Sequence, residues 1–188
     1  MNQEQSNEIT WEELAQDTSD LELISKGVIT AKQLVDHQYP QTTWIIKDLI
    51  PSVGFTAITG APYSYKSFIT EHLALCVALN LPLFGHFEST QGTVLLIDKE
   101  NSKVLIKDRL LKLGFKDDPQ IYFLNEPEKY DLSNPDTLTW TINFVNDKKI
   151  SLIILDSFIH IHRGDENDSQ TIAKTFELLK QIPCPSPD

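Results

Sequence analysis

A chain of 188 residues with 40% apolar and 23% charged residues is long enough to bury one core and too balanced for extended disorder. Its formal net charge of −11 excludes a surface that grips nucleic-acid backbone everywhere, because that grip needs clustered Lys and Arg, so any DNA contact must be local. The longest apolar stretch, residues 73–79, is far shorter than the roughly 20 residues that span a bilayer. The acidic start lacks a signal peptide's basic flank, and Cys76 and Cys184 have no disulfide-framework or metal-ligand spacing, which predicts a cytoplasmic protein without a membrane.

Residues 1–29 read as a polar N-terminal arm, in which Trp11, Leu14, Leu21 and Leu23 support no more than a short helix. Thr30 followed by Gln33 is a capping-box pattern opening a short helix that Pro40 ends. From Trp44 the pattern turns strand-like through Ile45, Ile46, Leu49 and Ile50, and residues 54–59 read as a buried strand running into Gly60. Residues 67–79 are apolar on nearly every face except around Thr70, Glu71 and His72, as for a helix packed on a sheet, and put Cys76 in the core.

Residues 93–97 form a second apolar strand, ended by the charged run Asp98, Lys99, Glu100. Helical spacing then covers residues 102–113, with Gly114 at the position of a left-handed C-cap and Arg109 as a surface charge pairing with nearby acids. A third short strand follows at 121–124. Asn134-Pro135 opens another helix whose apolar face is Leu138, Ile142 and Val145, and residues 150–155 make a further buried strand ending at Asp156. A last helix runs to Leu179 behind Asp168 or Ser169 as N-cap. Strands alternating with helices predict an α/β fold, a parallel sheet covered on both faces with ligands at the strands' carboxyl ends.

Gly60-Ala61-Pro62-Tyr63-Ser64-Tyr65-Lys66-Ser67 has the first glycine, the lysine and the serine of the phosphate-binding GxxxxGK[ST] pattern, placed between a strand and a helix and followed by Phe68. The chemistry needs backbone N–H groups converging on phosphate at a helix N-terminus, a lysine for the β and γ phosphates, and a hydroxyl for Mg²⁺. Tyr65 stands where the pattern has its second glycine, so its ring must point away from the nucleotide. On the residues alone, a plain strand-to-helix turn with an accidental lysine remains open. Asp156 supplies a strand-end acid able to hold Mg²⁺ through water, and Glu100 a carboxylate able to orient a water for attack on the γ phosphate. Glu100 is also readable, less readily, as a solvated charge beside Asp98 and Lys99. His160 and His162 lack a third ligand at fixed spacing and make no metal site.

Together these residues resemble a known group. Residues 44–51 (WIIKDLIP), the phosphate loop with Tyr before Lys66, residues 94–101 (VLLIDKEN) and residues 164–169 (GDENDS) are similar to the RepA-like hexameric helicase ATPases, a RecA-type branch often grouped with AAA-family P-loop ATPases. The resemblance covers roughly residues 30–182, the ATPase core, and leaves 183–188 as a Pro-rich tail. It implies ATP with Mg²⁺ as ligands, Lys66, Ser67, Glu100 and Asp156 as site residues, a homo-oligomeric ring and a DNA substrate in replication or on a mobile element. It also implies a loop near the nucleotide or ring channel at 164–169, with His162 and Arg163 as contacts, although these residues read equally as helix capping.

RecA-like proteins continue with a strand between the P-loop strand and the Walker B strand. The prolines of residues 182–188 (IPCPSPD) cannot form it. The expectation is a C-terminally truncated product, with an empty slot of about 10 Å between residues 54–59 and 150–155 that threatens the alignment of Asp156 with Lys66. Two other readings stand beside the ATPase. One is a nucleotide-binding regulatory or interaction module, or gene fragment, without efficient hydrolysis; the other is a small-molecule kinase, disfavoured because no Arg-rich lid lies between Glu100 and Asp156.

Overall fold

The computed structural model describes residues 18–39, 41–117, 119–125, 130–158 and 169–184. The expectations for His160, His162, Arg163 and residues 164–168 lie outside these. Contacts divide the chain into two units, Met1–Gln41 and Thr42–Asp188.

The first unit holds α1 (Thr18–Ser25) and α2 (Ala31–Asp36). The expected capping box opens α2: Thr30 Oγ1 accepts from the Gln33 N–H at 3.1 Å and Gln33 Oε1 accepts from the Thr30 N–H at 2.8 Å. Two donors that a helix start would leave orphaned are thereby satisfied.

The second unit begins with an antiparallel hairpin of β1 (Trp44–Ile46) and β2 (Ile50–Pro51), turned at Asp48 with φ of 60°. Its sheet is parallel, in the order β4 (Ile121–Leu124), β3 (Thr93–Asp98), β5 (Ile150–Asp156). Alternation along β3 decides which face each residue serves. Val94 and Leu96 join a core with Leu73, Cys76 and Val77 of α3 (Lys66–Leu79), whereas Leu95 and Ile97 join a second core with Val145 of α5 (Pro135–Lys148) and Leu179 of α6 (Ser169–Leu179). β5 divides the same way, Leu152 and Ile154 against Ile153 and Leu155. The sheet is therefore covered on both faces, and the near-continuous apolar runs of its strands follow.

Helix ends obey their local chemistry. Asn134 Oδ1 accepts from the Asp136 N–H at 2.8 Å ahead of Pro135, and α4 (Lys103–Lys112) is capped by Ser102 and followed by Gly114 at φ of 85°. α3 starts from Tyr65 in the left-handed conformation and ends at Asn80, also left-handed.

One expected element is absent. Residues 54–59 form no strand but an exposed irregular run, with Val53, Phe55 and Ile58 solvent-accessible. An apolar run becomes a strand only where another backbone pairs with it, and β5 is the outer edge of the sheet among the described residues. The run is tied instead by a side chain: Phe55 meets Phe176 of α6 edge-on at 5.3 Å, and Phe176 stacks on Phe158.

Candidate phosphate and metal site

The loop from Gly60 to Ser67 ends in the first turn of α3, so its backbone N–H groups meet the positive end of the helix. Lys66 is half-buried and turned back on the loop, its Nζ donating to the carbonyls of Gly60 and Ala61, both at 2.9 Å. Tyr65 has φ of 62° and ψ of 19°, the conformation for which the pattern usually carries glycine, and its side chain is 77% exposed. Tyr63 is left-handed as well and fully exposed. Ala61, Pro62 and Ser64 are exposed along the loop, and Phe68 is half-buried in the first turn of α3.

Asp98 and Asp156 are register partners at the carboxyl ends of β3 and β5, and the Lys99 N–H donates to the Asp156 carbonyl at 2.9 Å. The Ser67 hydroxyl neighbours the Asp156 carboxylate. Burial pushes the Asp156 carboxyl above its ordinary value, Ser67 and Arg109 pull it down, and the Asp98 and Glu100 charges push it further up. The segment 54–59 thus loses its strand without separating Asp156 from the first turn of α3.

Asp98, read from sequence only as part of a charged run, organises the turn that carries Glu100. It is 1% exposed; its Oδ1 accepts from the Glu100 and Asn101 N–H groups at 2.9 and 2.8 Å, and its Oδ2 from Asn101 Nδ2 at 2.9 Å. Asn125, at the end of β4, closes the turn by donating to the Asp98 and Asn101 carbonyls at 2.9 and 2.7 Å. Lys99 is drawn away, its Nζ bonded to the Tyr130 carbonyl at 2.8 Å. Glu100 is left exposed, with Oε1 accepting from the Ser157 hydroxyl at 2.6 Å. The structure therefore brings Lys66, Ser67, Asp156 and Glu100 to one end of the sheet. Asp at a strand end, two residues before a backbone N–H it can accept, is the Asx-turn signal that could have exposed the role of Asp98; Asn125 and Ser157 left no such trace.

Two further expectations change. Glu71, placed at a polar break of α3, is 1% exposed, and Arg109 pairs with an acid as expected but not at the surface: its Nη1, on a side chain 21% exposed, donates to Glu71 Oε1 at 3.1 Å. Burial pushes the Glu71 carboxyl up, Arg109 pulls it down, and Asp98 and Asp156 add to the rise. Cys76 lies in the core as expected, its thiol 3.4 Å from His72 Nε2.

A glycine-led loop feeding a helix N-terminus, with lysine and serine in its first turn and a strand-end aspartate beside that serine, is phosphate chemistry in its parts. The family model for the AAA domain matches residues 18–183. The chain belongs to this family. No curated protein matches it. An AAA domain is a nucleotide-binding P-loop ATPase domain, ordinarily served by Mg²⁺. The residues of this one fit both ligands: Ser67 and Asp156 are adjacent hard oxygen donors of the kind Mg²⁺ takes, and Lys66 sits where the loop presents its amides. No helix among the described residues of this AAA domain is long and apolar enough to cross a membrane.

Proposed function

We propose that this AAA domain binds ATP in the loop of residues 60–68 and hydrolyses it to ADP and phosphate. Ser67 directly and Asp156 through water would hold Mg²⁺, which would supply neutralisation of phosphate charge. Lys66 leaves the Gly60 and Ala61 carbonyls to neutralise the β and γ phosphates, and Tyr65 keeps its ring in solvent, away from the nucleotide. Glu100 orients the attacking water and takes its proton. The observation that carries this reading is the bond from Ser157, next in chain to Asp156, to Glu100 Oε1 at 2.6 Å, which fixes the two acids relative to one another.

The finer assignment is to the RepA-like helicase class: a cytoplasmic, homo-oligomeric ring that contacts DNA locally and works in replication or on a mobile element. It is supported by the resemblance of residues 44–51, 94–101 and 164–169 and by Glu100 following its own strand, apart from Asp156. Nucleotide affinity and turnover, each measured with and without DNA for the chain and its Lys66→Ala and Glu100→Gln variants, test the whole. Absence of ATP affinity in the parent sinks it, and turnover indifferent to Glu100→Gln removes the water-orienting role.

A second reading, nucleotide binding that serves regulation without turnover, is favoured by one observation: residues 54–59 lead into the loop as an exposed, unpaired run. Tight ATP binding with no hydrolysis would select it.

A further inference from the structure

The first turn of α3 and the Glu100 turn belong to different elements, and one ion pair ties them. Glu71 lies one helical turn beyond Ser67 on α3, so the two share a face. Arg109 lies on α4, the helix that leaves the Glu100 turn. Their contact, Nη1 to Oε1 at 3.1 Å, joins side chains 21% and 1% exposed, and Glu71 Oε2 is buried with no hydrogen-bond partner. A carboxylate so placed is stable only against a cation.

The same cation serves a wider group. Glu71, Asp98, Glu100 and Asp156 gather at one end of the sheet: the charges of Asp98 and Asp156 act on Glu71 and those of Asp98 and Glu100 on Asp156, with Arg109 opposing the repulsion at both Glu71 and Asp156. Two lysines close in sequence to Glu71 and Asp98 are committed to backbone, Lys66 to Gly60 and Ala61 and Lys99 to Tyr130.

We propose that Arg109 is a positioning residue, a resident cation anchored by Glu71 that holds the acidic end of the site together until a divalent cation shares the task. The inference rests on the reading that Ser67 and Asp156 receive Mg²⁺. It makes Arg109 and the metal partial substitutes: removing Arg109 weakens the fold most when the metal is absent and makes the metal's arrival more stabilising.

The test is the Tm of the full chain with ATP, in EDTA and in MgCl₂, for wild type, Arg109→Met, Arg109→Lys, Glu71→Gln and the Glu71→Gln/Arg109→Met double variant. Arg109→Met should lower Tm in EDTA by about 5–10 °C and show a Mg²⁺ increment clearly larger than wild type's. Arg109→Lys should keep the wild-type increment. The double variant, which removes one carboxylate with the cation, should recover much of the Tm and return the increment toward wild type. If Arg109→Met does not fold, the double variant and Arg109→Lys still decide: failure of the double variant to recover overturns the proposal. Equal Tm losses in EDTA and MgCl₂ also overturn it, leaving an ordinary packing pair. A wild type whose Tm Mg²⁺ does not move overturns the metal reading itself, and this inference with it.

Discussion

The hydroxyl of Ser157 donates to Glu100 Oε1 at 2.6 Å across 57 residues of chain, linking the acid after β3 to the residue after β5. Hydrogen bonds to a charged group are worth about 1.5–3 kcal/mol. If Glu100 positions the attacking water as proposed, Ser157→Ala should lower kcat for ATP by about 10- to 100-fold while leaving the Kd for ATP within about twofold, since the hydroxyl orients that acid and lies outside the loop of residues 60–68. Parallel loss of affinity and rate would show that Ser157 supports the loop instead.

Tyr65 occupies a left-handed position with 77% of its side chain in solvent. Tyr65→Gly relieves the steric cost of that conformation, about 1–2 kcal/mol, and adds about 0.5–1 kcal/mol of backbone entropy, so Tm should hold or rise slightly. Tyr65→Val, β-branched at the same φ, should be less stable than Tyr65→Gly by at least about 1 kcal/mol. Chemical denaturation of the two variants side by side measures the gap; no difference would mean that the loop adapts.

Gly92 is required by proximity rather than by φ. A Cβ there would lie 1.9 Å from Ser151 Oγ and 3.1 Å from Ser151 Cβ, and Ser151 is itself buried with its hydroxyl donating to the Thr93 carbonyl. Gly92→Ala should cost about 1–3 kcal/mol by overpacking, and Ser151→Gly in the same chain should restore most of it. Urea midpoints of the single and double variants provide the check.

Glu71 gives the stability a pH signature. Burial raises its folded-state pKa against the pull of Arg109, so the folded chain holds this proton more tightly than the unfolded one. Between the ordinary glutamate value and the raised one, the folded state carries more protons, and stability from this group falls as pH rises. Glu71→Gln removes that slope: relative to wild type, the variant should gain stability as pH climbs through this window and hold the gain above it. Tm measured against pH for both chains, in EDTA, would contradict this if the two curves ran parallel.

Much of this architecture could be read from residue order. The runs 93–97 and 150–155 announced buried parallel strands, Thr30 with Gln33 announced a helix start, and Asn134-Pro135 another. Residues 54–59 carried the same apolar signature as those strands and misled, because a ladder depends on a second backbone that composition does not reveal. Glu71 misled for a related reason: a charged residue reads as exposed until its partner is known, and Arg109 stands 38 residues further on. Within the candidate site, the loop of residues 60–67 could be proposed from sequence because its residues are contiguous, whereas the turn around Glu100 could not, since Asp98, Asn125 and Ser157 come from the ends of three strands.

The bonds from Lys66 Nζ to the Gly60 and Ala61 carbonyls make the loop its own first ligand. An anion drawn to the ammonium group would compete with those two carbonyls for it. On the proposed function, the lysine must give up these two bonds before it can serve a bound phosphate.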